Sequence, residues 1–255
     1  VEHRIKPYVT MYSCDDLDDY FYGYMVPHTG YIDKFSLIFF PPGLIIMSPT
    51  KETPDKLPEF KPQKKLFGIF YEYKRWNRIL GVENVGALND IVKDGMVNDF
   101  IRVSEALHEK KIAQIADMIT ESREEKKIVL VSGPSSSGKT TFAQRLSVQL
   151  RVNGLKPVTI SLDNYFVNRE HTPLDENGEY DFETIDAIDV VLFNEHLNSL
   201  VSMEEVETPV FNFESGIRES KGRKLSIGED NIIIVEGIHG LNEKLTASVS
   251  SKSKF

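Results

Sequence analysis

Residues 128–141 read IVLVSGPSSSGKTT, an apolar run that passes through Gly133-Pro-Ser-Ser-Ser-Gly-Lys-Thr140 into a helix-forming stretch. This matches GxxxxGK[ST] in the setting its mechanism needs, a buried strand before the loop and a helix starting at Lys139 after it. Glycines let the backbone wrap a phosphate without Cβ clashes, successive N–H groups point inward, and the helix N-terminus adds a positive dipole end. The spacing therefore predicts that Gly133, Ser135, Ser136, Ser137, Gly138, Lys139, Thr140 and Thr141 bind a nucleoside triphosphate, expected to be ATP. Lys139 would reach the β and γ phosphates and Thr140 would hold magnesium, Mg2+ being the expected metal.

The pattern that follows alternates: IVLVS, a helix from about Lys139 to Val152, VTISL, a helix from about Asp186 to Val201, and the apolar run IIIVE. Continuous apolar strands alternating with helices predict an α/β fold of the P-loop type, a parallel sheet covered on both faces. Two carboxylates end strands in this scheme, Asp163 after VTISL and Glu236 after IIIV. In a parallel sheet with right-handed crossovers both strand ends emerge on the edge that carries the phosphate loop. Phosphoryl transfer needs a carboxylate to hold magnesium and another to orient or deprotonate an acceptor hydroxyl, and these two are the candidates.

Upstream the character differs. Residues 4–50 are rich in aromatic and β-branched residues, with RIKPYVTMYS, FYGYMV and FSLIFF separated by His28-Thr29-Gly30 and followed by Pro41-Pro42-Gly43, which predicts a small antiparallel sheet. Prolines at 49, 54, 58 and 62 mark a linker. From Lys65 to Ser122 the period is helical, the last helix starting near Asn98 or Asp99 as cap. The step from ESREEKK into IVLVSG is the sharpest composition shift, so the expected organisation is a β region and linker over 1–62, a helical connector over 63–125 and a P-loop domain over 126–255. The smaller α+β part thus precedes the α/β part.

A formal charge of -9 opposes binding along a phosphate backbone, and no basic stripe stands out, so no nucleic-acid partner is expected. Cys14 is the single cysteine, no His/Cys cluster has zinc spacing, and a reducing, cytoplasmic setting is expected. The apolar stretches FSLIFFPPGLIIM and NIIIVEGI are too short or too interrupted for a membrane span, and VEHRIKPYV lacks a signal-peptide layout. The acidic run at 15–19 lacks the spaced oxygens of a calcium loop and reads as a solvated turn.

GPSSSGKTT, SLDNYF, YDFET, PVFNFESGIR and IIIVEGIHGL resemble, in that order, the motif series of the uridine kinase and phosphoribulokinase superfamily. The resemblance covers residues 126–255 and implies a kinase that moves a phosphoryl group from ATP to a hydroxyl of a nucleoside-like small molecule, its expected partner. It further implies that Asp163 is the catalytic base, close to magnesium, that Glu236 is a second metal-facing carboxylate, and that Lys139 stabilises the transferred charge. Tyr165 and Asp181 would hold the acceptor, Phe211, Phe213 and Arg218 would line its pocket, and His239 could contribute. Gly216 stands where uridine kinases carry a histidine that reads the pyrimidine edge, which leaves a sugar phosphate or pantothenate-like alcohol open as acceptor.

DDYFYGYMVPHTGYIDKF and PPGLIIM resemble the N-terminal extension of a longer bacterial class of uridine-kinase-like proteins, itself similar to part of the accessory domain of threonyl-tRNA synthetases. That domain's metal-binding histidine motif is absent, so no editing activity is carried over, but a nucleotide-binding regulatory or RNA-associated module stays open as a second reading. Only three clear strands follow residue 126 where such a core usually has about five. The chain therefore reads as cut at its C-terminus, short of an arginine-bearing lid, with weak ATP binding and poor transfer expected. Association into a homo-oligomer is left open.

Overall fold

The computed structural model describes residues 8–255; the start of RIKPYVTMYS lies outside them. The chain divides into two compact units, one ending at Ser104 and one comprising Glu105–Phe255. The expected change at residue 125 falls later than this division. The reason is α3, Val97–Glu121, whose C-terminal half buries Ile112, Ala116 and Ile119 completely in the core of the second unit. Its helix starts at Val97, so Asn98 and Asp99 lie in the first turn rather than at a cap, and the Asp99 carboxylate there complements the positive end of the dipole.

In the first unit, β1 (Met11–Cys14) pairs with β2 (Leu17–Tyr20), and β3 (Ser36–Phe40) with β4 (Gly43–Met47), both antiparallel. The expected single sheet is thus two separate hairpins. Residues 21–26, FYGYMV, form no strand. The acidic stretch takes that place instead: Asp15, in left-handed conformation, and Asp16 make the β1–β2 turn, while Asp18 and Asp19 stand exposed on β2. The proline-rich segment carries no regular structure, and α1 (Lys64–Ile79) and α2 (Val85–Lys93) follow, the latter capped by the Asn84 side chain accepting from Ala87 N–H at 2.9 Å.

The second unit is built on a parallel sheet of β5 (Ile128–Ser132), β6 (Lys156–Ser161) and a third strand that comes much later in sequence. Between them run α4 (Lys139–Val152), which follows β5, and α5 (Val190–Val201), which follows β6. Two short antiparallel pairs come next, β7 (Val206–Thr208) with β10 (Arg223–Leu225) and β8 (Phe211–Asn212) with β9 (Ile217–Arg218). The last strand, β11 (Asn231–Gly237), then inserts between β5 and β6, parallel to both. It takes the centre because it is apolar on both faces: Ile232 and Ile234 pack with α3 and α4 residues, Ile233 and Val235 with Phe193, Leu197 and Leu200 of α5. Residues 253–255 run parallel along the free side of β5, where Phe255 N–H donates to the Ile128 carbonyl at 2.8 Å and Leu130 N–H to the Phe255 carbonyl at 3.0 Å.

Arg145 of α4 fixes α3 across the helix interface. Its Nη2 and Nε donate to Oε2 of Glu109 at 2.6 and 2.9 Å, and Gln149 donates to the other carboxylate oxygen at 2.6 Å. Among the described residues no helix is long and apolar enough to cross a membrane.

Candidate active site

The loop between β5 and α4 bends back on itself through left-handed residues, Ser136 at φ 58° and Gly138 at φ 84°. Gly138 is the residue before the helix and brings no capping side chain, so the first-turn N–H groups of α4 have no side-chain acceptor there. An uncapped helix N-terminus behind a loop with left-handed residues suits a phosphate. The ammonium of Lys139 reaches back over the loop to the Pro134 carbonyl at 3.1 Å. A cavity of about 1040 Å³ adjoins the loop at Gly133, Ser137 and Lys139, large enough for a nucleotide. Its far wall includes Lys111, Gln114 and Met118 of α3. No motif marks those three, and the helical period of that segment does not say what its faces meet.

The parallel register places the acids as expected. Glu236 on the central strand is level with Val131 at the end of β5 and Ser161 at the end of β6. It is 4% exposed and accepts a hydrogen bond from the Thr140 hydroxyl at 3.3 Å. Asp163 follows two residues after Ser161, in the short turn Leu162–Tyr165. The turn can approach β11 because Gly237 has no side chain: a Cβ there would fall 2.6 Å from Cβ of Leu162. Desolvation in this crevice, with the charge of Glu236 added, pushes the Asp163 carboxyl above the usual carboxylate range, and Lys139 pulls it back in part. The side chain nonetheless keeps solvent access.

This donor set suits a hard cation beside phosphates. A buried carboxylate that accepts only from a neutral hydroxyl is costly without a cation, and Thr140, Glu236 and Asp163 offer oxygen alone. Among the described residues no group of three His, Cys, Asp or Glu side chains could hold a metal by itself, so such an ion would be completed by phosphate oxygens and water.

On the acceptor side the structure separates the expected residues. Tyr165 is fully buried, edge-on to Phe193, with its hydroxyl 3.1 Å from Nδ1 of His196, and burial raises its pKa further. It is a core residue and no ligand contact, because the Leu162–Tyr165 turn points Asp163 outward and Tyr165 inward. Arg218 is likewise engaged: Nη1 donates to Asp189 at 3.0 Å, Nε to the Phe166 carbonyl at 3.0 Å and Nη2 to the Tyr165 carbonyl at 3.1 Å. It clasps the segment that follows Asp163 rather than lining a pocket. Asp181 closes its own turn, one oxygen accepting from Glu183 N–H at 2.9 Å. Phe211 is in the core, whereas Phe213 is 58% exposed and stacks edge-on against Phe211. His239 carries a buried Nε2 without a hydrogen-bond partner among the described residues.

Two features here were not legible in motifs. Phe166 and Phe182 join Phe213 in an aromatic cluster with ring centroids 6.0–6.2 Å apart. Arg169 covers Gly216, which sits at φ 72° in the β8–β9 turn, and a Cβ on that glycine would come within 2.7 Å of the Arg169 Nε. A histidine at 216 would have to take this left-handed conformation and displace the Arg169 side chain, whose guanidinium occupies the adjoining space and donates to the Phe213 carbonyl at 2.9 Å.

Comparison with known proteins gives the same region. Residues 128–250 match the model of the Phosphoribulokinase / Uridine kinase family. A uridine kinase of Chloroflexus aurantiacus is 32% identical over 111 residues, 44% of this chain and 51% of the relative. A uridine kinase of Mycoplasma genitalium is 33% identical over 111 residues, with the same shares of 44% and 51%. An inorganic pyrophosphatase of Arabidopsis thaliana is 36% identical over 119 residues, 46% of this chain and 16% of that protein. The chain spans about half the length of the uridine kinases it matches.

Proposed function

We propose, on the premise that residues 128–250 are a domain of the phosphoribulokinase / uridine kinase superfamily, that the protein transfers the γ-phosphoryl group of ATP to a hydroxyl of a nucleoside or related small metabolite. The observation that carries this is the meeting of Asp163 and Glu236 beside the phosphate loop, with Thr140 bonded to Glu236. Two carboxylates beside a phosphate loop suit transfer, one facing the metal and the other open to an acceptor hydroxyl.

In this reading the loop N–H groups and Lys139 hold the β and γ phosphates and stabilise the charge that builds on the leaving side. Thr140, Glu236 and Asp163 would hold Mg2+, which when bound offsets phosphate charge. Asp163 orients the acceptor hydroxyl and takes its proton as the new O–P bond forms and the bond to the ADP oxygen breaks. The exposed part of the cluster formed by Phe166, Phe182 and Phe213 offers flat apolar surface to an acceptor with a ring.

The second reading, nucleotide binding without transfer, draws on the inward-turned Tyr165 and Arg218, which leave few polar groups to grip an acceptor, and on a relative named for hydrolysis of pyrophosphate. ADP release from ATP and Mg2+ should be followed across a panel of nucleosides, sugar phosphates and other alcohols, on this chain and on any longer protein containing it. Release that depends on one acceptor supports the kinase. ATP binding with no acceptor-dependent release in either form would sink it and favour the second reading.

A further inference from the structure

The overall charge of -9 hides a local exception. Helix α1, KKLFGIFYEYKRWNRI, carries five lysine and arginine residues and one glutamate. Phe67, Phe70, Tyr71, Lys74, Arg75 and Arg78 recur at intervals of three and four, so they form one stripe along the helix. All six line a groove of about 660 Å³ whose opposite wall is the β3–β4 turn at Pro42 and Gly43. A second hollow of about 360 Å³ continues it past Phe67 to Lys64. Phe70 is 66% and Tyr71 55% exposed, and none of Lys74, Arg75 and Arg78 is in an ion pair among the described residues. The sequence-based expectation of no basic stripe is corrected by this face.

We infer that the α1 groove binds single-stranded nucleic acid. Aromatic faces take unstacked bases whatever their identity, and cations in line with them take the phosphates of the same strand, which is the chemistry of sequence-tolerant single-strand binding. From Phe67 to Arg78 the stripe runs about 16 Å at 1.5 Å per residue, room for a few nucleotides. Its open walls suit a strand lying along the surface more than an enclosed small molecule. Burial in a bilayer fits poorly, because the cations share the aromatic stripe instead of occupying the opposite face.

The test is fluorescence anisotropy of a labelled uridine dodecanucleotide with the full chain at about 50 and about 200 mM salt. Three phosphates neutralised give a log–log salt slope of about -2, hence roughly 20-fold weaker binding across that range. The variant K74Q/R75Q/R78Q should flatten the slope and bind at least tenfold more weakly at low salt. F70A/Y71A should lose at least about fivefold with the slope unchanged. Lys139→Ala should bind as wild type, which separates this groove from the phosphate loop. No binding at low salt, equal binding by the charge variant, loss of binding in Lys139→Ala, or preference for anionic vesicles over the oligonucleotide would each overturn the inference.

Discussion

Replacing Arg218 by methionine removes three charge-assisted hydrogen bonds while keeping most of the side chain's length. Such bonds contribute about 1.5–3 kcal/mol each where water is excluded. Arg218 and Asp189 keep 24% and 30% of their side-chain exposure, so water replaces part of the loss. The Tyr165 carbonyl also still accepts from Asp189 N–H at 2.8 Å, and Asp189 still caps α5 through Leu192 N–H. These offsets leave an expected destabilisation of about 2–4 kcal/mol. Urea unfolding followed by circular dichroism should show the second unit's midpoint lowered by about 1–2 M. Fluorescence of the single tryptophan would not report it, since Trp76 lies on α1 of the first unit. Unchanged stability combined with a raised KM for the acceptor would refute the clasp and return Arg218 to the acceptor pocket.

Asp163→Asn should cut transfer by about 10²–10⁴-fold while ATP binding persists. The raised pKa means that ionised Asp163 is disfavoured in the folded protein, a cost absent below the unfolded-state pKa and fully present once pH exceeds the folded one. Asp163→Asn should therefore raise the melting temperature at neutral pH, with the gain shrinking in acid. A melting temperature that Asp163→Asn leaves unchanged at neutral pH, without metal, would show that the ionised carboxylate carries no such cost. Gly237→Ala should cost about 1–3 kcal/mol and lower transfer about 100-fold, because the new Cβ must displace Leu162 and with it Asp163; wild-type turnover in this variant would show the close approach to be immaterial.

The phosphate loop, the two acids and the parallel strands are legible in sequence because each is a local pattern whose geometry follows from strand direction alone. Glu236 ends an apolar run, and any parallel pairing of that run brings it to the loop's edge. Tyr165 and Arg218 are different. Which way a side chain leaves a one-turn helix or a two-residue strand depends on what packs beside it, here His196 of α5 and Asp189 at its N-cap, some 30 residues distant in sequence from Tyr165 and Arg218 respectively. FYGYMV has strand-forming composition, yet the hairpin closes earlier at Asp15. The α1 stripe does not stand out along the linear sequence, because its aromatics and cations are interleaved with other residues and line up only at helical spacing.

The most direct test of the kinase assignment follows ATP, Mg2+ and the responsive acceptor by phosphorus NMR with wild type and Asp163→Asn. A new phosphomonoester resonance that grows as the γ-phosphate signal of ATP falls, in wild type only, is the predicted result. Orthophosphate as the sole product, or equal ester formation by Asp163→Asn, would contradict it.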